Sequence, residues 1–161
     1  MADDTAQRKK RYEQLFIDVK AVLDEETDPL VWMTTLSCLI KQRLGFFWVG
    51  FYRLVDETLV VGPYQGTLGC LRIPLSRGVC GAAARRRESI LVPDVHRFDD
   101  HIACDSRSQS EIVVPVFDAG GRLRAVLDVD SDQLNDFSPI DKEALEALVG
   151  RMKDLEWTRA N

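Results

Sequence analysis

The chain has 161 residues, of which 45% are apolar and 29% charged, and its formal net charge is −5. That length suits one domain, 1–161, which can bury a sizeable core without disulfide staples. The acidic balance argues against nucleic acid as a partner, since such a footprint is basic and clustered. No apolar run approaches a membrane span, and residues 1–5 carry no secretory pattern. The expectation is therefore a cytoplasmic protein without a membrane partner. There thiols stay reduced, and a disulfide is transient or catalytic.

Residues 6–24 predict a helix. Tyr12, Leu15, Phe16, Val19, Val22 and Leu23 recur at helical spacing, with Arg8, Lys9, Lys10 and Arg11 on the early, wet side. Asp28 is placed to cap a second helix that carries Pro29 at its first position and stops at Gly45. Val31, Trp32, Leu36, Leu39, Ile40 and Leu44 would face inward along it. The core of the domain would run over 28–158.

The pattern then changes to short strand-like runs. Residues 46–54 predict a strand dense in aromatic and β-branched residues. Asp56-Glu57 turns the chain, and 58–64 returns as its hairpin partner. A third strand over 69–74, an alanine-rich helix over 79–86 and a short strand over 90–92 follow. Residues 93–110 are polar and have no period, and loops of that length are usually functional. Strands over 111–117 and 122–130 are joined through Asp118-Ala119-Gly120-Gly121, a strong hairpin signal. An amphipathic helix over 139–157 closes the chain. The expected class is α+β. An antiparallel five- or six-stranded sheet would be flanked by the N- and C-terminal helices, leaving loops on the other side to build a pocket.

Cys104 is the cysteine framed by titratable groups, with His101 three residues before it and Asp105 directly after it. A thiol attacks as the thiolate, so it needs access and a tuned pKa. Cys70 and Cys80 precede it. Cys80 sits at a turn-to-helix boundary, where the helix dipole can lower a thiol pKa. Cys38 reads as a small buried helix residue. His96, His101 and Cys104 would supply three metal ligands, but the close pairs of a structural zinc site are missing. No metal and no organic cofactor are expected. The histidines read better as loop-tying hydrogen-bonders. Ser106, Ser108 and Ser110 lack a nucleophile elbow. On residue type alone, Trp48 and Tyr52 divide evenly between core and pocket. Asp128 and Asp130 divide evenly between capping the hairpin and facing a ligand.

Several runs together resemble one family. They are Val49-Gly50-Phe51-Tyr52, Gly62-Pro63-Tyr64-Gln65-Gly66, Arg77-Gly78-Val79-Cys80-Gly81, Asp94-Val95-His96, His101-Ile102-Ala103-Cys104-Asp105, Ser110-Glu111-Ile112-Val113-Val114-Pro115 and Val126-Leu127-Asp128-Val129-Asp130-Ser131. The chain is similar to the free methionine-(R)-sulfoxide reductases, GAF-domain proteins whose three cysteines are spaced as Cys70, Cys80 and Cys104 are here. The resemblance spans about residues 30–150. It departs at Asp100 and Ala125, where the family has glycine. It implies Cys104 as the catalytic thiol, Cys70 as the resolving one and Cys80 as an alternative resolving thiol. It implies Trp48, Tyr52, Glu111, Asp128 and Asp130 as substrate-binding residues. It implies free methionine-(R)-sulfoxide as substrate and a thioredoxin-like reductant as partner. Asp105 ranks below the three carboxyls as an acid. A small-molecule GAF sensor and a thiol redox switch without turnover are the alternatives. The sequence leaves open whether the chain forms a homodimer.

Overall fold

The computed structural model describes residues 5–157. Helix α1 spans Thr5–Leu23 and α2 spans Pro29–Leu44. Asp28 caps α2 by accepting from the Leu30 N–H at 2.7 Å. Gly45 closes it at φ 72°, donating its N–H to the Lys41 carbonyl. That left-handed conformation is one glycine adopts without a Cβ penalty.

The sheet strands are β1 (Trp48–Val55), β2 (Thr58–Gln65), β3 (Arg72–Pro74), β4 (Ile90–Val92), β5 (Ser110–Phe117) and β6 (Leu123–Ser131). They form one six-stranded antiparallel sheet in the order β3-β2-β1-β6-β5-β4. The β1–β2 turn places Asp56 and Glu57 both at positive φ, the backbone twist that two-residue hairpins require. Helix α3 (Gly78–Arg86) lies between β3 and β4 in sequence, and α4 (Pro139–Gly150) follows β6.

Strand alternation divides the core between the two sheet faces. Val49, Phe51, Ile112, Val114, Leu127 and Val129 pack with the apolar stripes of α1, α2 and α4. Buried residues such as Leu36, Ile40, Leu145 and Leu148 each contribute about 1.5–3 kcal/mol by leaving water. On the opposite face Trp48, Tyr52, Val113 and Val126 pack with Val79, Cys80 and Ala83 of α3. The α1, α2 and α4 layer is where the terminal helices were expected. The short helix α3, however, lies across the other face and helps to roof the pocket.

Several local expectations shift. Arg8 is buried rather than wet. Its guanidinium donates to Asp141 at 3.2 Å and to Asp136 at 2.7 Å, and the Tyr12 hydroxyl donates to Asp141 at 2.7 Å. Asp141 also accepts from the Ser138 N–H at 2.8 Å, so one carboxylate caps α4 and pins α1. Val22 and Val31 are exposed, because the stripe that meets the sheet is narrower than the run of apolar positions. Cys38 is half-buried. The strand at 69–74 narrows to Arg72–Pro74, and the closing helix ends at Gly150.

Breaking a buried ion pair from one side strands the remaining charge, at a cost of about 3–5 kcal/mol. Arg8→Leu is therefore expected to lower the unfolding free energy by about 3 kcal/mol, read from denaturant titration with an unchanged slope. A loss within about 0.5 kcal/mol would place Arg8 among ordinary surface residues.

Candidate active site

Three neighbouring strands build the floor. Glu111 on β5 pairs with Asp130 on β6, which pairs with Trp48 on β1. In the next row Val113 pairs with Asp128, which pairs with Gly50 and so with Tyr64. Period-two alternation sends Glu111, Asp128, Asp130, Trp48 and Tyr52 to the same face. All five line one pocket, together with Cys80 and Val79 of α3 and with His101, Ile102, Cys104 and Ser108 of the following segment.

Gly50 makes the aromatic wall possible. A Cβ there would lie 2.6 Å from the Trp48 ring. Without it, Trp48 folds back along the strand and stacks on Tyr52 and Tyr64, with centroids 5.9 and 5.0 Å away. Its indole N–H donates to the Thr67 carbonyl at 2.9 Å, and the Tyr52 hydroxyl donates to the Cys70 carbonyl at 3.0 Å. The wall thereby holds the 66–71 segment as well as the pocket.

The electrostatics of the pocket are set by buried acidic groups. Cys80 Sγ, a Glu111 oxygen and an Asp128 oxygen lie within 4.8 Å of one another, all buried. Asp128 Oδ1 is buried without a hydrogen-bond partner. Burial pushes Glu111 well above the usual carboxylate range, and the nearby Asp130 adds to the shift. Burial raises Asp128 too, reinforced by Glu111, and Asp130 follows through burial and Asp128. Burial also pushes the Cys80 thiol up, with the carboxyls adding to it. His101 Nε2 lies 3.6 Å from Glu111, and burial lowers its pKa, favouring the neutral ring. Burial and mutual repulsion thus favour the protonated over the charged forms across the cluster. Asp128, which carries the orphaned oxygen, lines the pocket, so that oxygen is an acceptor available to a donor group.

Cys70 and Cys104 are joined by a disulfide, with Cα atoms 5.3 Å apart, inside the range a bridge requires. Cys104 is exposed and Cys70 half-buried, while Cys80 is buried and free. The bridge ties the 66–71 segment to the 98–109 segment at the pocket mouth. The latter follows a short 3-10 turn, Val95–Arg97, capped by Asp94.

The structure therefore gathers Trp48, Tyr52, Cys80, Cys104, Glu111, Asp128 and Asp130 at one pocket, with Cys70 bridged to its rim. It also separates the two histidines. His96 is exposed and bonded to Asp94 at 3.0 Å, whereas His101 lines the pocket. His96, His101 and Cys104 do not form a donor set among the described residues. His101 and Asp105 carry more of the site than their sequence positions suggested. Framing of Cys104 by both was the available signal.

A family profile described as GAF domain matches residues 35–153. The six-stranded antiparallel sheet with helices on both faces is that fold, and the chain belongs to the GAF-domain family. Within it the chain belongs to the free methionine-R-sulfoxide reductases. It is 43% identical to "Free methionine-R-sulfoxide reductase" of Escherichia coli over 88% of this chain and 86% of that protein. It is 41% identical to "GAF domain-containing protein A" of Dictyostelium discoideum over 88% of this chain and 90% of that protein. A crystal structure of the Neisseria meningitidis free methionine-R-sulfoxide reductase in complex with its substrate superposes with a TM-score of 0.86. That match has 40% identity and covers 92% of this chain and 90% of that one. No helix among the described residues is long and apolar enough to cross a membrane.

The raised carboxyl pKa values have a consequence for stability. Between the unfolded carboxyl pKa, about 4, and the raised folded value, the native state binds more protons than the unfolded chain. The contribution is fully present below the unfolded value and is lost as pH rises through the folded one. Asp128→Asn removes one such group. Thermal melts are expected to show the variant gaining on the wild type from pH 4 to pH 8. A difference independent of pH would mean that Asp128 is ionised in the folded protein.

Proposed function

We propose that this protein reduces free L-methionine-(R)-sulfoxide to L-methionine and is re-reduced by a thioredoxin-like dithiol protein in the cytoplasm. The observation that carries the reading is the Cys70–Cys104 bridge at the mouth of a pocket floored by buried carboxyls. A sulfoxide sulfur is electrophilic, but its oxygen leaves only when protonated. The Cys104 thiolate attacks that sulfur while a carboxyl of the Glu111, Asp128 and Asp130 set gives oxygen its proton. Methionine leaves, and the oxygen ends on Cys104 as a sulfenic acid.

The Cys70 thiol then condenses with that sulfenic acid, releasing water and forming the disulfide. A dithiol protein reduces it by exchange, attacking the exposed Cys104 or its partner. Cys70 is the first resolving thiol in this reading. Burial keeps Cys80 a poor thiolate, which leaves it the auxiliary role. The 93–110 segment shifts between the reduced and oxidised forms, so that Cys104 turns from substrate to Cys70.

Selectivity for the free amino acid follows from enclosure and charge. The carboxyl oxygens of the cluster can accept from an α-ammonium group, and a peptide-linked sulfoxide has none. Trp48 packs against the methyl end of the substrate and so favours one sulfoxide epimer.

The test is an assay with dithiothreitol and free L-methionine-(R)-sulfoxide, reading methionine by chromatography. The wild type is expected to turn over, with the S epimer and a peptide-bound sulfoxide inert. Cys104→Ser should make no methionine. Cys70→Ser should release about one equivalent rapidly and then slow. Methionine no higher from the wild type than from Cys104→Ser would remove the reductase reading and leave a sensor or a switch.

A further inference from the structure

Asp105 takes no step in the chemistry above, yet its carboxylate is the hub of the catalytic segment. It accepts from Thr67 Oγ1 at 2.8 Å, from the Arg107 N–H at 2.9 Å, from Arg107 Nε at 3.0 Å and from Arg107 Nη2 at 2.7 Å. Thr67 stands three residues before Cys70, and Asp105 directly follows Cys104. The Thr67–Asp105 bond therefore runs beside the disulfide and joins the same two segments. Each end is anchored in turn. The Thr67 carbonyl is held by the Trp48 indole at 2.9 Å, and the Arg107 guanidinium lies 5.1 Å over the Phe47 ring. Phe47 and Trp48 are adjacent, where the chain enters β1. The Arg107 and Thr67 bonds hold the Asp105 carboxyl far below the usual carboxylate range, so the latch persists across physiological pH.

We propose that Asp105 is a positioning residue for the second half of the reaction, with Thr67 as its counterpart. The latch holds the two cysteine-bearing segments at bridging distance, so that the Cys104 sulfenic acid closes onto Cys70 quickly. This rests on the sulfenic-acid reading given above. In that step the Cys70 sulfur attacks the Cys104 sulfur, the Cys104 S–O bond breaks, and the oxygen leaves as water with the Cys70 proton. No outside electron is needed. Misplacing reacting groups by about 1 Å costs on the order of 100-fold, so losing the latch should slow closure by about 10- to 100-fold.

Two measurements test this on Thr67→Val, Thr67→Ser and Asp105→Ala. In the first, reduced protein meets one equivalent of substrate, and a 1,3-dicarbonyl reagent traps the sulfenic acid for mass spectrometry. Thr67→Val and Asp105→Ala should lower the ratio of the closure rate to the methionine-forming rate by about tenfold or more, and Thr67→Ser should restore it. Equal slowing of both steps, or closure at the wild-type rate, would overturn the proposal. The second needs no substrate. Equilibration with glutathione should show the Cys70–Cys104 bridge about tenfold easier to reduce in Thr67→Val than in Thr67→Ser. An unchanged equilibrium would overturn the latch even if the protein makes no methionine. Wild type without methionine, but with this shift, would sink the reductase reading alone.

Discussion

The site depends on burying three carboxyls together in a pocket that, among the described residues, no lysine or arginine lines. Like charges a few ångströms apart in a poorly solvated space cannot all ionise, and each is pushed toward its protonated form. Glu111, Asp128 and Asp130 meet that condition on adjacent strands. His101 stands next to them, but burial disfavours its charged form. The result is a set of carboxyls biased toward protonation beside Cys80, and the proposed chemistry draws its proton from that set. The same arrangement costs stability at neutral pH, the usual relation between a working site and its fold.

The rest of the molecule makes that burial affordable. The α1, α2 and α4 face is a closed apolar core, tied together by Asp141 with Arg8, Tyr12 and Ser138. It fixes β1, β5 and β6 in register, and register decides which side chains face the pocket. A one-residue slip would turn the carboxyls into the apolar core. On the other face, α3 and the Cys104 segment roof the cluster, and Trp48 lies flat over Gly50 as a wall. The larger apolar core and the pocket are thus on opposite sides of one sheet. The disulfide and the Asp105 latch are where the second side is closed.

Much of this was readable from local signals. Asp28, Pro29 and Gly45 bracket α2, and Asp56-Glu57 and Asp118–Gly121 mark the hairpins, because capping and turn chemistry act over a few residues. Alternation alone put Asp128 and Asp130 on one face. What resisted reading depends on contacts distant in sequence. Arg8 looked solvated because its partners Asp136 and Asp141 lie at the other end of the chain. Helix α3 is alanine-rich with little pattern to say which face it covers. Glu111 belongs beside Asp130 only once the β5–β6 register is known. Asp105 ranks below the three carboxyls as an acid, and its bond to Thr67 was not legible because that partner is 38 residues away. The family resemblance supplied roles for the cysteines that spacing alone left open.

The central claim is that the resting pocket holds protonated carboxyls at neutral pH. Infrared spectroscopy of the reduced protein tests it directly, by comparing the wild type with Glu111→Gln and Asp128→Asn. The account predicts a protonated-carboxyl stretch at pH 7 in the wild type that is lost or shifted in both variants. A wild-type spectrum at that pH with carboxylate bands alone would contradict it.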